Sequence, residues 1–225
     1  LRKPETVFEH DAARPPRFHE KEKTAVDFRE SLLEHFNESI AVKQACLEGP
    51  LIETLARMAE KSFRALKNGN KIILFGNGGS AADAQHIAAE LTGRFEAERR
   101  PLPALALTVN TSSVTALAND YGFERVFSRQ LCALGKPGDV AIGISTSGNS
   151  PNVVETLKAA TELEITPFGW TGRDKGAMDS WCEDILRVPC TRTARIQEVH
   201  ILAAHAFCGL LEKLFASSSP EGAHG

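Results

Sequence analysis

Ile72-Ile73-Leu74-Phe75-Gly76-Asn77-Gly78-Gly79-Ser80 reads as a buried strand that breaks into a glycine-rich turn. Ala81-Ala82-Asp83-Ala84-Gln85-His86 follows with strong helical character. A strand–turn–helix corner of this kind aims unobstructed backbone N–H groups and a helix N-terminus at one point, which favours an anion or polar ligand. His86 and Glu90 are four residues apart and share a face of the helix. They could ligate a metal or act as an acid–base pair.

Outward from this corner the rhythm repeats. Strands are expected at 71–75, 104–108, 140–144, 166–170 and 185–188, with helices at 81–91, 113–118, 124–134, 152–162 and 195–215. Short apolar strands alternating with helices predict an α/β fold, a doubly wound parallel sheet covered on both faces. Upstream, two amphipathic helices are expected at 26–46 and 51–66, closed by Asn68-Gly69-Asn70. The expected organisation is a mobile arm over 1–25, one domain with its N-terminal helical pair over 26–215, and a disordered tail over 216–225.

Composition narrows the function. A net charge of −3 over 225 residues gives no electrostatic reason to expect nucleic-acid binding. No apolar run approaches the ~20 residues that span a bilayer, and the first residues lack an apolar signal core, so no membrane partner and a cytoplasmic location are expected. The five cysteines form no Cys-x-x-Cys pair and are odd in number, which suits reduced thiols better than a disulfide framework or a zinc knuckle. Cys208, amid Ala206, Phe207, Leu210 and Leu211, reads as core packing.

A second loop lies at another strand end. Ser145-Thr146-Ser147-Gly148-Asn149-Ser150 supplies four hydroxyls and a flexible glycine, and Pro151 stands at the expected first helical position. Such a loop can hold a phosphate without a lysine. Neither glycine loop has the spacing of a dinucleotide fingerprint or the Gly-Lys-Ser/Thr of a nucleotide-binding P-loop. The expected ligand is a small phosphorylated molecule.

Taken together, Gly76-Asn77-Gly78-Gly79-Ser80, Ala84-Gln85-His86 with Glu90-Leu91-Thr92-Gly93-Arg94, Asn119-Asp120, the serine loop and Arg195-Ile196-Gln197-Glu198 resemble the phosphoheptose isomerases of the sugar isomerase (SIS) domain superfamily. The resemblance spans about 28–215. It implies a five-stranded parallel sheet, a homotetramer with active sites where subunits meet, and conversion of sedoheptulose 7-phosphate to D-glycero-D-manno-heptose 7-phosphate. That reaction opens bacterial heptose and lipopolysaccharide core synthesis. By matching motif, Asn77, Gly78, Gly79, Asn119, Asp120 and Gln197 would contact substrate, together with Glu90. Ser145, Thr146, Ser147 and Ser150 would hold its phosphate. Glu90 and His205 would be the catalytic acid–base residues, and His86, Glu90, Gln197 and His205 would bind one zinc ion per subunit.

Three points of chemistry bear on that assignment. A zinc-bound carboxylate is a weaker base, so the two roles of Glu90 compete. Gln197 and His205 are eight residues apart, or ~12 Å along a helix; simple spacing would instead nominate His200, which is expected to be a packed imidazole or one that supports a ligand from behind. Some relatives carry an acid before the Arg-Ile-Gln-Glu run, where this chain has Ala194. Arg94, one turn past Glu90, is a further candidate to neutralise substrate charge. The rival functions are a non-catalytic SIS protein of the replication-initiator-associating type, which would keep the glycine and serine loops but lack the acid–base set, and a sugar-phosphate sensor or an isomerase for another sugar phosphate, in which the phosphate loop would look identical.

Overall fold

The computed structural model describes residues 27–218. Within them α1 (Phe28–Glu48) and α2 (Leu51–Lys67) lead into β1 (Ile72–Gly76), α3 (Gly79–Thr92), β2 (Ala104–Ala106) and α4 (Thr111–Tyr121). A 3-10 turn (Phe123–Arg125), α5 (Ser128–Leu134), β3 (Val140–Ile144), α6 (Pro151–Glu162), β4 (Thr166–Thr171), β5 (Asp184–Arg187) and α7 (Thr193–Ser218) complete it. The arm expected over 1–25, with Val26, and most of the tail lie outside the described residues. α7 continues three residues past the expected end at Phe215.

The sheet is five-stranded and wholly parallel, as expected, and its order is β2-β1-β3-β4-β5. Period-two alternation divides the strand side chains between two cores. Ile72, Leu74, Ile142, Phe168 and Trp170 join the core beneath α2, α3 and α7, while Ile73, Phe75 and Ala141 pack with Val126, Leu131, Val153 and Leu157 on the other face. The chain leaves β1 toward β2 on one side, and β3 pairs on the other. The switch in strand order therefore falls between β1 and β3, and a crevice opens at their carboxyl ends. The two loops singled out in the sequence lie there.

Several elements depart from expectation. β2 ends at Ala106 rather than 108, and β5 is shifted one residue toward the N-terminus. The single helix expected over 124–134 is broken: Arg125 N and Val126 N bond three residues back, to Gly122 and Phe123, before α5 begins. Gly122 at φ 87° and the low helical propensity of Phe123, Val126 and Phe127 account for the tighter winding. α4 is longer than expected because Asn110 Oδ1 caps it, accepting from Ser113 N at 3.0 Å.

α7 also corrects the reading of apolar runs, because by length and composition it could cross a membrane (mean hydropathy 1.4). It packs against α1, α2 and α3, and it buries Arg195, His200 and Glu212 in the protein, as a core helix does.

His200 is fully buried, near Trp170, with Nε2 3.4 Å from the Thr171 carbonyl. It packs in the core, one of the two roles expected of it. Burial pushes its imidazole down to about 4, opposed by the Thr171 carbonyl. A histidine held neutral in the fold but free to protonate when unfolded contributes full stability above pH 6.5, and that contribution is lost as pH falls toward 4. The expected loss is roughly 3 kcal/mol across that window. Urea unfolding between pH 7 and pH 4 should show it, and His200→Leu should flatten the profile.

Candidate active site

Both loops begin helices without a side-chain cap. Gly78 precedes α3 at φ 55°, a conformation that favours glycine, and has no side chain to donate or accept. Ser150 precedes α6, yet its hydroxyl makes no capping bond. It lies instead 2.9 Å from Ser145 Oγ, which is also 3.4 Å from Ser147 Oγ.

Three hydroxyls thus converge at the N-terminus of α6, in the donor arrangement that a phosphate needs. Thr146 contributes its carbonyl to the fold, accepting from Gly172 N at 3.1 Å. Gly148, at φ 68°, turns the loop where an added Cβ would stand 3.0 Å from Thr171 Oγ1. The loops are tied by a reciprocal amide pair: Asn77 Nδ2 donates to Asn152 Oδ1 and Asn152 Nδ2 to Asn77 Oδ1, each at 2.9 Å. A cleft of ≈ 270 Å³ opens here between Asn77, Ser150, Pro151, Asn152, Phe123 and Glu124.

Gln197 approaches the same corner. An added Cβ at Gly79 would stand 2.4 Å from Gln197 Nε2, so the glycine lets the α7 amide reach the turn. Asn119 and Asp120 are exposed near the end of α4, where Asn119 Nδ2 donates to Asp120 Oδ1 at 2.8 Å.

The other candidates gather elsewhere. His86 Nε2 is 3.1 Å from His205 Nε2 and 3.4 Å from Glu90 Oε1, and one ligating atom from each of the three lies within 4.8 Å of the others. Tetrahedral zinc with bonds of ~2.0–2.1 Å holds its ligand atoms about 3.4 Å apart, so two imidazoles and a carboxylate at this spacing fit such an ion. Gln197, expected as the fourth ligand, stands two turns away on α7 with its amide against Gly79. Glu90 is eleven residues beyond Gly79, or ~16 Å along α3. In one chain, then, the structure joins His86, Glu90 and His205, and separately joins the glycine turn, the serine loop and Gln197. Arg94 is exposed, with Glu98 4.0 Å away.

Sequence reading missed Phe95, whose ring stacks on His205 (centroids 5.5 Å apart, planes at 22°), along with Arg99 and Glu212, which fix the loop bearing it. Glu212 did leave a signal: a lone carboxylate between Leu211 and the apolar end of the last helix.

Comparison with known proteins agrees with this geometry. Residues 35–172 match the SIS domain family. The phosphoheptose isomerase of Neisseria meningitidis serogroup C is 52% identical over 189 residues, 83% of this chain and 95% of that protein. The phosphoheptose isomerase of Aquifex aeolicus is 54% identical over 184 residues, 82% of this chain and 96% of its own length. The solved phosphoheptose isomerase of Neisseria gonorrhoeae superposes with a TM-score of 0.78 at 49% identity, covering 82% of this chain and 98% of that one. With the sheet order, the glycine and serine loops and the histidine–glutamate cluster in place, the chain belongs to the SIS domain family and, within it, to the phosphoheptose isomerases.

Proposed function

We propose that the chain interconverts sedoheptulose 7-phosphate and D-glycero-D-manno-heptose 7-phosphate through an enediol, the entry to bacterial heptose and lipopolysaccharide core synthesis. The observation that carries this reading is the meeting of Glu90 and His205, from helices 115 residues apart in sequence, in one group of donor atoms. A binding or adaptor protein has no need of that meeting, so it favours the enzyme over the non-catalytic rivals weighed from sequence.

The serine corner holds the phosphate and so fixes the carbon chain. Glu90 takes a proton from C1 of the ketose and a proton is returned at C2, so one C–H bond breaks and one forms. His205 moves the second proton, from the C1 hydroxyl to the oxygen of the former carbonyl. Asn77, Gly78, Gly79 and Gln197 line the chain of the sugar, with Asn119 and Asp120 contributing as the motif implies. His86, Glu90 and His205 would hold the zinc ion. When bound there it would polarise the substrate carbonyl.

The ~16 Å between Glu90 and the glycine turn supports a site completed between subunits. So does α1, whose Phe28, Leu32, Phe36 and Ile40 recur every four residues and are 79%, 60%, 69% and 52% exposed. A stripe of this kind marks an interface, here that of a homotetramer. All five cysteines are free, which suits the reducing cytoplasm.

The test is a panel of five-, six- and seven-carbon ketose phosphates, assayed with and without a chelator. Turnover should be confined to the seven-carbon sugar and should fall roughly tenfold or more on metal removal, returning with zinc. Equal rates on all three chain lengths would contradict the substrate, and turnover indifferent to chelation would contradict the metal.

A further inference from the structure

Glu212 is a carboxylate on the buried side of α7, only 5% exposed beside Cys208 and Leu211. A buried charge is tolerated when its oxygens are occupied, and here its contacts lead to one loop. Oε1 accepts from Phe95 N at 2.8 Å, and Oε2 accepts from Glu96 N at 3.1 Å and Ala97 N at 3.0 Å. Arg99 Nε lies 3.1 Å from Oε1, with both side chains under a tenth exposed. That nitrogen makes no hydrogen bond, so the contact is a pairing of charges. Burial pushes the Glu212 carboxyl up, but the three amides and Arg99 outweigh it and hold the group below its ordinary value.

The rest of the guanidinium is directed at the end of α3. Arg99 Nη2 donates to Glu90 O at 2.7 Å, and Nη1 donates to Leu91 O at 2.9 Å, Arg100 O at 3.1 Å and Gly93 O at 3.2 Å. Helix ends leave such carbonyls without partners, so Arg99 closes the turn that carries Glu90. The loop held by Glu212 carries Phe95, whose ring lies on His205. Gly209 of α7 faces the same ring: an added Cβ there would stand 3.4 Å from it, an ordinary van der Waals contact. His205 also meets the His86 ring edge-on at 5.3 Å.

We propose that Arg99 and Glu212 are positioning residues for Glu90 and His205: one buried ion pair fixes the helix turn bearing the carboxylate and the aromatic ring that orients the imidazole. The inference rests on the reading that Glu90 and His205 perform the isomerisation. Misplacing a reacting group by about 1 Å can cost on the order of 10²-fold in rate, whereas the phosphate corner lies in a different part of the chain.

In the 225-residue chain, Glu212→Gln should lower kcat by about tenfold or more and leave KM within about twofold. Phe95→Leu, which leaves the ion pair intact, should give a similar loss, and Phe95→Tyr should restore the rate. Arg99→Lys carries the same readouts should Glu212→Gln fail to fold. A readout independent of turnover is the NMR signal of His205 in protein labelled at histidine Cε1, identified by its absence in His205→Gln. The Phe95 ring should displace that signal in the wild type, and both Phe95→Leu and Glu212→Gln should abolish the displacement. Unchanged kcat in Glu212→Gln and Phe95→Leu, or a His205 signal unmoved in Glu212→Gln while only the thermal midpoint falls, would overturn the proposal. A wild type that turns over no sugar phosphate would overturn the proposed function, and the His205 signal would still decide the positioning claim.

Discussion

Glu90→Gln should reduce kcat for sedoheptulose 7-phosphate by about 10³-fold or more, with KM changed little and the unfolding midpoint nearly that of the wild type. General-base catalysis contributes on the order of 10²–10⁴-fold, and an amide of the same shape can accept no proton. Glu90 is half-buried on α3, and its side chain is close to His86 (3.4 Å). The substitution therefore leaves the helix and its apolar face intact. A loss seen in kcat rather than in KM is the signature of a group acting in the transition state. Steady-state kinetics together with circular dichroism measure both halves of the expectation. A comparable rise in KM would instead assign Glu90 to binding.

Replacing Ser145 and Ser150 together by alanine should raise KM by about 10²-fold or more, with a smaller effect on kcat. A hydrogen bond to a charged group is worth about 1.5–3 kcal/mol, so two of them correspond to roughly 10²–10⁴ in affinity. Ser145 is buried and 2.9 Å from Ser150 Oγ, so the two hydroxyls face one point at the start of α6. Neither caps the helix through its side chain, and removing them should cost little stability. Isothermal titration with inorganic phosphate gives a direct check. Affinity unchanged in the double variant would remove the serine corner from the site.

Much of this was legible in the chain because the signals are local. The apolar run 72–75 with its glycines, and the run 140–144 with its serines, carry both the strand and the turn that ends it. Their repetition with intervening helices implies a parallel sheet and places the crevice. The His86–Glu90 pair follows from helical period alone. What the sequence could not show is tertiary. That His205 comes to His86 rather than to Gln197 depends on how α7 crosses α3, and no periodicity within α7 contains that crossing. Gln197 fits the motif yet rests against Gly79, because its place on α7 faces the turn. The break after Gly122 depends on a positive φ that only the folded chain reveals. The Arg99–Glu212 pair joins a loop to a helix more than a hundred residues on, where the sequence offered only a lone acid in an apolar stretch.

The most direct measurement follows sedoheptulose 7-phosphate by NMR in D2O with wild type, Glu90→Gln and His205→Gln. The wild type should form the manno-heptose 7-phosphate with solvent deuterium at C2, while both variants form almost none. An inert wild type, or a Glu90→Gln variant that converts the sugar as fast as the wild type, would contradict the account.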